Sequence, residues 1–112
     1  MVASPGSVEL GEEPLEPETI IEGDPRTSSG VIASADLEDG TTLETGVWTC
    51  TPGVVTDVEA DETFVVISGR AEIECGGETF EVGPGDVCVL PAGAATKWTV
   101  HETLKKVYVI RS

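Results

Sequence analysis

Few side chains in this 112-residue sequence are equipped for catalysis. His101 is the single imidazole. It lies beside Glu102, on the opposite strand parity from Thr96 and Trp98, and reads as a surface or strand-end residue. Cys50, Cys75 and Cys88 form no CxxC pair, so neither a zinc knuckle nor a complete disulfide framework is encoded. No basic neighbour lowers a thiol pKa, and inert core thiols are the expectation. Trp48 and Trp98 supply flat apolar walls if they line one interior, with plain core packing as the alternative, while Tyr108 either presents its hydroxyl to the same space or caps a backbone group. Lys97 takes the outward parity. Phosphate loops, nucleophile elbows and dinucleotide fingerprints do not occur.

Charge narrows the partners. Twenty-one acidic residues against six basic ones give a net charge of −15. Such a field repels phosphate backbones and anionic lipid, so neither nucleic acid nor membrane is an expected partner. It is either a solubility device or a field that gathers cationic ligands. The N-terminus has no basic, then apolar, leader pattern, and no stretch approaches a membrane span. With three unpaired cysteines, a cytoplasmic protein is expected.

These residues need a scaffold, and the punctuation of the chain describes one. Residues 1–26 carry Pro5, Pro14, Pro17 and Pro25 among seven carboxylates, which disfavours an independent fold. This reads as an extended acidic arm, with Leu15, Ile20 and Ile21 able to lay it against the remainder as an edge strand. Residues 27–30 read as a loop. Short β-branched runs follow, at 31–34, 42–44, 47–51, 54–58, 63–68, 71–75, 79–82, 87–90, 96–100 and 104–110, which predicts an all-β sandwich or barrel. Gly76-Gly77 predicts a hairpin pairing Cys75 with Glu78, Ile73 with Phe80 and Ala71 with Val82, leaving Glu72 facing Glu81 on a solvated side. Gly69 reads as a tight turn after a buried strand.

Two segments carry a resemblance. One is Pro52-Gly53, a strand, then Asp61-Glu62-Thr63-Phe64 onward to Gly69. The other is Gly83-Pro84-Gly85-Asp86-Val87-Cys88-Val89-Leu90-Pro91-Ala92-Gly93. Glu62 with Gly69, and Gly85 with Pro91 and Gly93, keep the spacing of the two motifs of the cupin superfamily, although the first motif's opening glycine falls at Cys50. With the runs from Gly46 to Gly53 and from Lys97 to Ile110, the chain resembles the small cupins related to ureidoglycine aminohydrolase and to ethanolamine-utilisation proteins. The resemblance implies a double-stranded β-helix, a jelly-roll barrel with an interior pocket, over residues 27–112, and a homodimer.

The resemblance also implies a divalent metal held by three histidines and a glutamate. Here the first-motif histidines fall at Thr56 and Val58, or at Val55 and Asp57 in the longer spacing. The second-motif histidine falls at Thr96 and its asparagine at Val100. Only Glu62 remains, so no metal and no other cofactor is expected. The expected pocket lining is Trp48, Cys50, Thr56, Val58, Glu62, Phe64, Thr96, Trp98 and Tyr108. Burial among such neighbours would favour the neutral form of Glu62. It reads as an anchor for a ligand's amine or an acid/base, or else as a frame residue bonded to a backbone amide or to Thr56. Three functions fit: metal-independent binding of a small organic ligand, an enzyme of the ureidoglycine aminohydrolase-like or metabolite-isomerase type, and a structural assembly module.

Overall fold

The alternation of β-branched and polar residues resolves into nine strands and two short 3-10 turns in the computed structural model, which describes residues 2–112. The strands are β1 (Gly11–Glu13), β2 (Ile20–Gly23), β3 (Thr27–Asp36), β4 (Thr42–Cys50), β5 (Gly53–Val58), β6 (Asp61–Cys75), β7 (Glu78–Val82), β8 (Val87–Leu90) and β9 (Ala95–Arg111). Among the described residues no helix is long and apolar enough to cross a membrane.

Two long strands, β6 and β9, pair along their whole length and belong to both layers. Their outer halves join β8, β4, β3 and β1 in one layer. Their inner halves join β7, β5 and β2 in the other. Every pairing is antiparallel. The change of layer occurs where the β6–β9 register slips, between Val66 and Ala71. β6 spends five residues there and β9 spends six, so inward parity on β6 moves from Glu62, Phe64 and Val66 to Ala71 and Ile73 while β9 keeps its even-numbered set inside. A bulge of this kind bends the strand pair and curls the sheet on itself.

Gly69 sits at that corner and is not a tight turn, which corrects the sequence expectation. Its φ is 88°, and a Cβ there would collide with the Thr103 carbonyl oxygen. The glycine lets β6 and β9 touch at the bend, and the runs flanking it form one strand. The runs 42–44 and 47–51 likewise fuse into β4, and 96–100 and 104–110 into β9. Residues 27–30 are also strand and not loop, because their ladder to β4 is complete and their hydroxyls are bonded. Thr27 Oγ1 donates to the Glu13 carbonyl, Ser28 pairs with Thr49, and Ser29 donates to the Glu13 carboxylate. Side-chain partners thus remove the competition that usually makes Ser and Thr favour turns.

The Gly76-Gly77 hairpin has the expected register, with Cys75 opposite Glu78 and Glu72 opposite Glu81. His101 lies 3.5 Å from Glu72 on that outer side. Near the N-terminus, β1 adds to β3 and β2 adds to β5, at opposite free edges of the two layers. The chain between them crosses from one layer to the other, and Leu15 packs on the core. Of the acidic arm read from the sequence, Met1 lies outside the described residues. Phe64, Ile73, Leu90 and Leu104 are almost wholly buried and form the centre of the interior.

Candidate functional site

The even parity of β9 carries Trp98, Lys106 and Tyr108 into the barrel, and that of β6 carries Glu62 and Phe64. Register does the rest. Lys106 stands opposite Trp48 on β4 and Val66 on β6, one same-face step from the Phe64–Tyr108 pair and two from Glu62–Ile110. Its Nζ donates to Glu62 Oε2 at 2.6 Å. Both side chains are nearly excluded from solvent, at 7% and 4% exposure. The same ammonium lies 4.5 Å from the ring centroids of Trp48 and Phe64 and 4.6 Å from that of Trp98. A buried ammonium is costly in isolation. Here a carboxylate supplies the counter-charge, and three ring faces add an attraction that strengthens as water is excluded.

A second carboxylate fixes the cage. Glu59, just beyond β5, is 6% exposed, and its Oε1 accepts from Thr96 Oγ1 at 2.6 Å and from Trp98 Nε1 at 3.3 Å. Burial raises the Glu59 pKa, opposed by the Thr96 hydrogen bond. With its indole N–H shared between the Thr96 hydroxyl at 3.0 Å and Glu59, Trp98 is met edge-on by Trp48 at 5.7 Å and at a tilt by Phe64 at 5.5 Å. Tyr108 donates to Glu44 Oε2 at 2.9 Å; burial, then this bond, pushes the phenol pKa up. The ring passes over Gly46, where any side chain would strike the Tyr108 hydroxyl. Burial also pushes the Cys50 and Cys88 thiols up to about 11, so neither is a thiolate at neutral pH.

In front of the pair lies a cavity of about 440 Å³. Trp48, Thr56, Glu62, Trp98 and Tyr108 line it, five of the nine residues expected from the sequence. The other four do not. Phe64 backs the Lys106 ammonium from the core, and Cys50 is wholly buried behind the wall. Thr96 is spent on Glu59. Val58 is 71% exposed, because the longer motif spacing holds and turns Val55 inward instead; it borders a separate outer groove. The sequence reading missed Lys106 and Glu59. Lys106 shares its parity with Trp98 and Tyr108, a signal that was available; Glu59 lies outside any strand and had none. The partner of Glu62 is this ammonium and not a backbone amide or Thr56, and the solvent-starved carboxyl of the sequence reading omitted that charge.

The donor set does not fit a divalent metal. At the motif positions of the longer spacing, Val55 cannot coordinate, Asp57 Oδ1 accepts from the Val58 amide, Thr96 is engaged, and Glu62 Oε2 is bonded to Lys106, so two carboxylates and no imidazole remain. Among the described residues, no three His, Cys, Asp or Glu side chains converge to hold an ion.

Comparison with known proteins gives the family signal. The model of the EutQ-like cupin domain matches residues 37–108. The ethanolamine utilization protein Q of Salmonella typhimurium is similar in fold, with a TM-score of 0.62 and 20% identity over 76% of this chain and 68% of that one. A protein of unknown function from Acidithiobacillus ferrooxidans gives 0.61, with 26% identity over 96% and 98%. A Thermotoga maritima protein described as a predicted oxalate decarboxylase gives 0.71 at 13% identity over 98% and 97%. An uncharacterized Streptomyces coelicolor protein is 50% identical over 38 residues; the match spans 34% of this chain and 36% of that relative. The jelly-roll barrel is thereby shown.

The buried pair makes a direct prediction. Lys106→Met leaves the Glu62 carboxylate without its partner and is expected to lower unfolding free energy by about 3 kcal/mol, as is Glu62→Leu. The double exchange removes both charges and is expected to recover most of the loss. Urea denaturation of the four proteins measures this, and simply additive losses would contradict the coupling.

Proposed function

Since the chain belongs to the EutQ-like cupin domain family, we propose that its barrel binds a small organic molecule without the help of a metal ion. One observation carries this reading: a cavity of about 440 Å³, walled by Trp48, Trp98 and Tyr108, opens onto the Glu62–Lys106 pair. Its size and its mixture of apolar wall with a few fixed polar groups suit a small-molecule site. Where the family resemblance leads one to expect a metal ion beside the motif glutamate, a lysine ammonium lies within hydrogen-bonding distance of that glutamate. The three free thiols support placing the protein in a reducing cytoplasm.

On the same footing a second copy of the chain is proposed as partner. The outer face of the β3–β4–β9–β6–β8 layer carries two adjacent cross-strand rows, Ala33–Thr45–Val109–Thr63–Val89 and Val107–Val65–Val87, with no charge in either; Val47, which continues the second row on β4, is fully buried. Val87 and Val89 are each 67% exposed. Two molecules each carrying −15 can approach closely only through uncharged surface. A cationic partner would be drawn to the acidic surfaces instead, which argues for self-association here.

Two outcomes are expected. In a thermal-shift screen of small organic molecules, stabilising compounds raise Tm equally in EDTA and with added manganese or zinc. Stabilisation that appears only with metal, or no stabilising compound at all, would refute the reading. In sedimentation equilibrium the native chain is a dimer that tightens with salt, and the Val89→Lys, Val109→Lys double variant is a monomer with unchanged circular dichroism. A monomeric native chain at all salt concentrations would exclude this partner.

A further inference from the structure

The polar floor of the cavity selects among ligands by its unused hydrogen-bonding capacity. A lysine ammonium has three N–H donors. Among the described residues only Glu62 Oε2 accepts one from Lys106, and the three rings around Nζ attract its charge without offering an oxygen lone pair. Glu62 Oε1 receives no hydrogen bond from the described residues, although its partner oxygen does. A spare donor and a spare acceptor therefore stand side by side at the cavity wall.

Charge narrows the choice further. The lining holds five carboxylates, those of Glu13, Glu16, Glu44, Asp57 and Glu62, against the single ammonium of Lys106. An anion is repelled as it enters. A cation is drawn in, yet at the floor it meets Lys106. A neutral group escapes both penalties.

Resting on the proposal that this barrel binds a small molecule, we infer that Lys106 and Glu62 together recognise a neutral carbonyl compound whose oxygen is flanked by an N–H or O–H. The carbonyl oxygen accepts from Lys106 Nζ, the neighbouring donor bonds Glu62 Oε1, and the apolar remainder lies against Trp48 and Tyr108. Leu15, on the segment that crosses between the layers, covers it from the other side. The two polar contacts are wasted on a ligand lacking either group, because a buried donor or acceptor left unpaired opposes binding.

Benzamide, benzoate and benzylamine share one ring and differ in charge, and the indole N–H signals of Trp48 and Trp98 in a nitrogen-15 spectrum report occupancy at the cavity wall. Benzamide is expected to shift these signals at concentrations at which the other two, binding at least tenfold more weakly, do not. The Lys106→Met, Glu62→Leu double variant, which orphans neither charge, is expected to lose at least tenfold in benzamide affinity. Equal or tighter binding of benzoate or benzylamine, or undiminished binding of benzamide by the double variant, would overturn the inference. So would silence of all three probes towards a barrel that binds other compounds of the screen. A barrel that binds nothing in the screen overturns the underlying function as well.

Discussion

A lysine ammonium enclosed by a β-barrel must have a counter-charge, and the Glu62–Lys106 pair meets that requirement at 2.6 Å. The desolvation of two ions is large, and their attraction offsets it only when geometry is good and the remaining hydrogen-bonding groups are provided for. Trp48, Phe64 and Trp98 add to that attraction by turning their ring faces towards the ammonium. Trp98 is held in turn by Thr96 and Glu59 at its indole N–H, and Gly46 leaves room for the Tyr108 ring against β4. Moving Glu62, Lys106 or Glu59 leaves a charge or a polar atom without its partner.

The scaffold exists to bring β4, β6 and β9 to one interior. A flat sheet would put Glu62 and Lys106 on one face but leave them open to water. The register slip around Gly69 curls the sheet, and the crossing segment with Leu15 closes the remaining side. Burial then converts a weak surface ion pair into a strongly coupled one. It also puts the Cys50 and Cys88 thiols out of use as nucleophiles, so the polar chemistry of the interior reduces to carboxylates, hydroxyls and one ammonium.

Much of the architecture was legible because it is written in local signals. Gly76-Gly77 sets a hairpin register that alternation makes unambiguous, and Glu62 with Gly69 and Pro91 with Gly93 keep a recognisable spacing. Gly69 was misread because a glycine needed for close approach looks, in sequence, like a glycine needed for a turn. Residues 27–30 were misread because their hydroxyls find partners on β1 and β4 that lie far along the chain. In the site, Trp98 and Tyr108 share one cavity with Glu62. Lys106 has the same parity, but a lysine is so rarely buried that solvent exposure is the default unless its carboxylate partner, 44 residues away, is already known. Val58 was misplaced by one residue because two motif spacings were open, and a shift of one turns a strand residue to the opposite face.

The interior ammonium is the centre of this description, and anomalous X-ray diffraction from crystals of the untagged native protein addresses it most directly. The expected result is continuous side-chain density for Lys106 reaching Glu62 within the three rings, with no anomalous peak beside that carboxylate. A divalent ion coordinated by Glu62, with the Lys106 side chain turned out of the barrel, would contradict it.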